Sequence, residues 1–161
     1  MRNWKRTTLS MLAAAVTALV LMAAPASAAD NTQIAGVGTF DGDGECTEIP
    51  SFFTMKMVGD FVGCWYTDTL DVVQSTPSGV YQERGTEIFV GCLSDGTTCG
   101  TFSATYKFTA KYAVDGAEIH GRCEHPIVSG TGDFEGVTGR VDFKDDVQTG
   151  EFNYRGHIKL P

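Results

Sequence analysis

The sequence predicts an all-β chain: an eight-stranded antiparallel up-and-down β-barrel. Three observations predict it. From Gln33 onward, short runs rich in Val, Ile, Thr, Phe and Tyr alternate with clusters of Gly, Asp, Pro and Ser, and no stretch sustains a helical period. When these runs are folded about the turns between them, apolar side chains stay on one face from strand to strand, which a slipped register would not give. Glycines at 130, 132, 136 and 139 then interrupt the alternation around one large apolar side chain, Phe134, as a corner with a plug requires. Closing the sheet removes the free edges that would recruit other chains.

The chain opens with Arg2, Lys5 and Arg6, an apolar run from Met11 to Ala24, and Ala26-Ser27-Ala28. This is the layout of a secretory signal with a small-residue cleavage site. The apolar run is shorter than the ~20 residues of a spanning helix. Residues 1–28 are therefore expected to be removed, and 29–161 to form one secreted domain with no membrane insertion after cleavage. Three of the twelve basic residues and none of the twenty acids lie in that leader, so the remainder carries nine against twenty, a net charge of −11. Such a charge argues against nucleic acid as a partner and for an acidic, solvated exterior.

Eight runs are expected, at 33–40, 50–58, 61–74, 80–91, 100–113, 117–129, 138–147 and 151–160. The first is ambiguous, because Ile34, Gly36, Gly38 and Phe40 compete with Ala35 and Val37 for the inner face. A hairpin at Gly59-Asp60 brings Phe53, Met55 and Met57 inside and leaves Lys56 outside. Symmetric pairing about Thr76-Pro77-Ser78-Gly79 sets Asp68 opposite Glu87, Tyr66 opposite Phe89 and Leu70 opposite Gly85. Outside, it joins Asp71 to Arg84 and Thr69 to Thr86, both favourable cross-strand pairs. Pairing about the loop between Cys92 and Cys99 places Phe89 opposite Phe102, Glu87 opposite Ala104, Gly85 opposite Tyr106 and Glu83 opposite Phe108. The Asp115-Gly116 turn sets Tyr112 opposite Ile119, Phe108 opposite Cys123, Tyr106 opposite His125 and Ala104 opposite Ile127, with Glu118, His120, Arg122 and Glu124 outside. In the last two runs Val141, Phe143, Phe152, Tyr154, Gly156 and Ile158 face inward, and Arg140, Asp142, Lys144, Asn153, Arg155, His157 and Lys159 outward.

Five cysteines in an exported chain imply disulfides and leave one thiol over. A Cys92–Cys99 bond would clamp a hairpin loop. Cys64 and Cys123 fall in different layers, so Cys46 pairs with Cys123 or with Cys64, with a slight preference for the Cys46–Cys123 bond.

The same registers gather polar side chains among the interior rings. Asp68, Glu87, Tyr106 and His125 are the candidate catalytic residues, and Tyr66, Glu83, Phe89, Phe102 and Phe108 the candidate ligand contacts. Two carboxylates facing each other inside a barrel repel, so one is expected to hold a proton beside an ionised partner, an arrangement that performs acid and base chemistry at neutral pH. Gly85, Ala104, Ala110 and Gly121 leave space for a ligand. The plainer alternatives are acids standing in water at the barrel mouth, rings that merely fill a core, and a His125 that only satisfies Tyr106. Neither C-x-x-C nor H-E-x-x-H spacing occurs, so no metal is expected, and no cofactor. A G-x-S-x-G elbow is also missing, which argues against a serine triad.

The pattern G-T-G-x-F-x-G-x-x-G from Gly130 to Gly139, between strands at Ile127–Ser129 and Arg140–Val147, resembles the bacterial allene oxide cyclase barrel-like and dirigent-like families. Its glycine spacing is not that of a dinucleotide-binding loop. The resemblance implies a barrel that holds a small apolar, reactive molecule in one conformation and isomerises or cyclises it through shape. It also implies that self-association into homo-oligomers is common among relatives. The matching motif is a turn, so it transfers no catalytic residue to any position here. The expected function is an exported barrel that binds a small apolar ligand, with isomerase or cyclase activity if it is an enzyme. The rival expectation is a non-enzymatic secreted module that binds through its loops and acidic surface. A lipocalin or biotin-binding barrel is disfavoured, because Gly36-Val37-Gly38 stands where the early G-x-W would be.

Overall fold

Each strand pairs antiparallel with the next, and the last returns to the first, so the sheet closes into an eight-stranded barrel in up-and-down order. The computed structural model describes residues 31–161, and the expected export segment lies outside them. The strands are β1 (Asn31–Phe40), β2 (Thr54–Gly59), β3 (Phe61–Ser75), β4 (Val80–Leu93), β5 (Cys99–Tyr112), β6 (Glu118–Gly132), β7 (Thr138–Asp146) and β8 (Glu151–Lys159).

The β4–β5 ladder has the expected register throughout its inner face, with Phe89 opposite Phe102, Glu87 opposite Ala104, Gly85 opposite Tyr106 and Glu83 opposite Phe108. In β1 the Ile34, Gly36, Gly38 set wins the interior. Ile34 is buried and Ala35 exposed, and a side chain at Gly36 would collide with the Tyr154 hydroxyl.

Two bulges overturn parts of the expected registers. On the turn side of Asp68 the β3–β4 pairs from Thr69 to Val72 are as expected, with Leu70 opposite Gly85 and Asp71 opposite Arg84, before a further shift between Val72 and Gln74 next to the turn. Past a bulge between Thr67 and Thr69 the pairing slips, so that Thr67 meets Glu87 and Trp65 meets Phe89. An extra residue in one strand reverses which side chains face inward beyond it. Asp68 is therefore exposed, its carboxylate accepting from Thr86 Oγ1 at 3.0 Å. Tyr66 lies on the outer wall beneath the segment 41–53, where its hydroxyl donates to Glu48. In its place Trp65 fills the interior. The second bulge, between Lys111 and Tyr112, puts Glu118 rather than Ile119 opposite Tyr112. Ile119 becomes exposed and Glu118 turns inward.

Cys92 bonds Cys99 as expected, but Cys46 bonds Cys64, and Cys123 is free and buried. The preferred Cys46–Cys123 pairing fails for a geometric reason. Cys64 sits opposite Lys56 on the outer face, where it pins the segment 41–53, whereas Cys123 points into the barrel beside Phe143.

One end of the barrel is solid. Phe61, Phe89 and Phe102 pack with ring centroids 4.8 to 5.4 Å apart. Phe134 reaches down from the glycine corner to meet Phe89 at 6.1 Å and Phe102 at 5.5 Å, edge to face. It is wholly buried. The corner needs its glycines: Gly132 and Gly136 have φ of 64° and 76°, and a side chain at Gly130 would meet the Phe134 carbonyl.

Candidate functional site

Above that floor the barrel is not filled. A cavity of about 380 Å³ opens toward the other end, a size suited to a small ligand. Phe53, Phe108, Phe143 and Phe152 give it apolar walls, and Glu83, Glu87, Glu118 and Asp145 give it carboxylates.

At its base β4 presents Glu87, which is buried and held from two sides. The Trp65 indole N–H and the Thr67 hydroxyl donate to it from β3, the latter at 2.8 Å. From β6, His125 Nε2 lies 2.7 Å from Glu87 Oε2. The opposite ring nitrogen, Nδ1, is 3.2 Å from the Val141 carbonyl oxygen. A carbonyl only accepts, so Nδ1 carries a hydrogen. The contact between Nε2 and Oε2 then needs a second hydrogen between two atoms that would otherwise both be acceptors. The pair thus holds one shared proton, as imidazolium with carboxylate or as imidazole with carboxylic acid. The ring is fixed edge-on by Trp65 at 5.2 Å and Phe143 at 5.0 Å and is stacked by Tyr106 at 6.0 Å.

One layer up, Glu83 accepts from Tyr106 at 3.1 Å and from Tyr81. Burial first, then the Glu83 carboxylate, pushes the Tyr81 phenol up to about 12 and Tyr106 further still. Both therefore remain donors. The space expected beside Gly85 is taken by the Tyr106 ring, which stands 2.8 Å from where a Cβ would be.

At the mouth, β6 and β7 bring Glu118 and Asp145 together over Gly121, whose missing side chain leaves the room they occupy. Burial, and then the neighbouring Glu118 carboxyl, pushes Asp145 up to about 7. Glu118 Oε1 is buried and, among the described residues, has no hydrogen-bond donor other than a protonated Asp145.

Of the residues expected here, Glu83, Glu87, Tyr106, Phe108 and His125 do line the cavity. Phe89 and Phe102 belong to the floor beneath it, and Asp68 and Tyr66 are outside the wall. Sequence reasoning missed Trp65, Thr67, Tyr81, Glu118 and Asp145 as site residues. Two of these carried a signal. Tyr81 alternates in phase with Glu83 and Glu87, and Asp145 with Val141 and Phe143, so period two alone places both inside. Comparison with protein-family models, with characterised proteins and with solved structures returns no match.

Proposed function

We propose that this chain is an exported barrel that binds a small, largely apolar molecule in its open cavity and shifts a proton on it at Glu87 and His125. The observation that carries this reading is the unfilled space above the aromatic floor, with a proton-sharing pair at its base. A core built only for stability would close over such a space, because voids forfeit dispersion contacts. Glu87 would take a proton from one carbon of the ligand, and the pair would return it to another, an isomerisation that needs no cofactor and leaves the protein unchanged. The glycine pattern from Gly130 to Gly139 supports an allene oxide cyclase-like or dirigent-like affiliation, in which cavity shape directs the product. Two disulfides support an oxidising, extracellular location.

Native mass spectrometry of the protein purified from culture medium tests the reading. A small-molecule adduct that leaves on denaturation is expected. An adduct-free protein that also fails to take up small aromatic molecules at millimolar concentration would sink it.

A further inference from the structure

We infer that the ligand of this cavity is a protonated amine on an apolar, ring-sized body. The inference rests on the proposed binding role of the cavity and adds the charge of its occupant. Among the described residues no Lys or Arg lines the cavity, which carries Glu83, Glu87, Glu118 and Asp145. His125 compensates Glu87 alone. Each Lys or Arg ion pair among the described residues uses an exterior carboxylate: Lys56 with Asp43 and Glu45, Arg84 with Asp71, and Arg140 with Glu124 and Asp142. Among the described residues the remaining interior acids have no cation of their own.

A buried acceptor without a donor is costly, and among the described residues Glu118 Oε1 is one once Asp145 is ionised. An ammonium N–H directed at Glu118 and Asp145 supplies that donor together with the missing charge. An anion would meet the carboxylates of Glu83, Glu118 and Asp145, and a neutral apolar ligand would leave Glu118 and Asp145 without a cation. Around this position stand the rings of Tyr81, Phe108 and Tyr112, with Tyr81 set edge to face 6.2 Å from Phe108 and 6.1 Å from Tyr112. Aromatic faces hold organic cations. A metal ion fits less well, since among the described residues no three His, Cys, Asp or Glu side chains converge as metal ligands do.

The test compares three probes of nearly one shape, phenethylammonium, phenethyl alcohol and 3-phenylpropionate, by calorimetry and ligand-observed NMR on the full barrel at pH 8. Phenethylammonium is expected to bind about tenfold or more tighter than the alcohol, and the propionate not at all. In E118Q/D145N the amine should lose that advantage, its affinity falling to that of the alcohol in the same variant. Amine affinity should also fall as pH drops from 8 to 5, because Asp145 takes up a proton there while the amine stays charged. The titratable groups facing Asp145 are Glu118 and Cys123 of β6 and Tyr112 of β5. Its β8 neighbour, Phe152, does not titrate. Equal binding of amine and alcohol would overturn the charge inference and keep the cavity reading. Binding of none of the three would overturn both.

Discussion

At the end of the barrel closed by Phe134, the inward side chains of β4 and β5 are Phe89 and Phe102; farther along the same face of the same strands they are Glu83 and Tyr106. The backbone, the pairing and the period are identical in the two regions. Only the side chains change. The floor is a set of rings in mutual contact with no polar atom to satisfy, so it supplies stability. Among the described residues the mouth holds acids without cations and, once Asp145 is ionised, a buried acceptor without a donor, so it forgoes stability. Such an exchange is what the proposed binding role would require of a rigid wall.

The largest effect expected from this contrast is at the floor. Phe102→Ala or Phe134→Ala should each lose ~3–5 kcal/mol in urea unfolding. Tyr112→Phe at the mouth should change stability by less than ~1 kcal/mol. If the plug substitution cost no more than the mouth substitution, Phe134 would not be closing the barrel.

Between the two regions, Glu87→Ala strips the carboxylate from Trp65, Thr67 and His125 at once. A loss of ~3 kcal/mol is expected, and with it the loss of the proposed proton transfer. Glu87→Gln keeps an acceptor for Trp65 or Thr67 and should recover much of the stability without the chemistry. Full activity in the glutamine variant would remove Glu87 from the mechanism.

The disulfides extend the comparison, since Cys92–Cys99 clamps the closed end and Cys46–Cys64 straps the segment 41–53 to the outer wall. Their sequence separations are 7 and 18 residues. By chain entropy, replacing both cysteines with Ser should cost about 2 kcal/mol for the shorter loop and about 3 for the longer. Loss of the longer strap should also expose Tyr66, read as a change in tyrosine fluorescence. Equal losses with no exposure would mean that the strap holds nothing down.

What could be read from the residues follows the same division. Strand order, the β4–β5 register and the glycine corner were legible because alternation and turn residues specify them locally. The two bulges were not. An added residue at Asp68 changes neither composition nor turn chemistry, yet it reverses the inward assignments along β3 from Thr67 to Phe61, which exchanged Tyr66 for Trp65 and removed Asp68 from the site. The β2–β3 pairing is itself one residue off the expected one, so Met55 and Met57 stay inside as expected. At the mouth the second bulge hid Glu118 behind Ile119. Asp145 was masked by its charged neighbours Lys144 and Asp146, although it keeps step with Phe143. The Cys46 partner lay beyond reach because a segment without periodicity has no register to extrapolate.

The smallest effect divides the two ends by pH. Asp95, in the Cys92–Cys99 loop, accepts from the backbone N–H groups of Thr98 and Thr97, which pull its carboxyl down to about 2. A depressed folded value means that its contribution is present above the unfolded value of 3.8 and fades as pH falls toward 2. Asp145 behaves in the opposite sense. Its folded value of about 7 exceeds the unfolded 3.8, so from 3.8 upward the unfolded chain releases a proton that the folded chain retains. Stability from this group is complete below 3.8 and lost as pH rises through 7. Asp145→Asn should therefore raise the melting temperature at pH 8 and leave it nearly unchanged at pH 4. Because solvent reaches the site, the gain is scaled down to about 1 kcal/mol, or roughly 3–6 °C. Asp95→Asn should lower the melting temperature at pH 7 and change it little at pH 2. Should Asp145→Asn melt no higher than the parent at pH 8, the mouth would not be storing unpaired charge, and its difference from the floor would be one of packing alone.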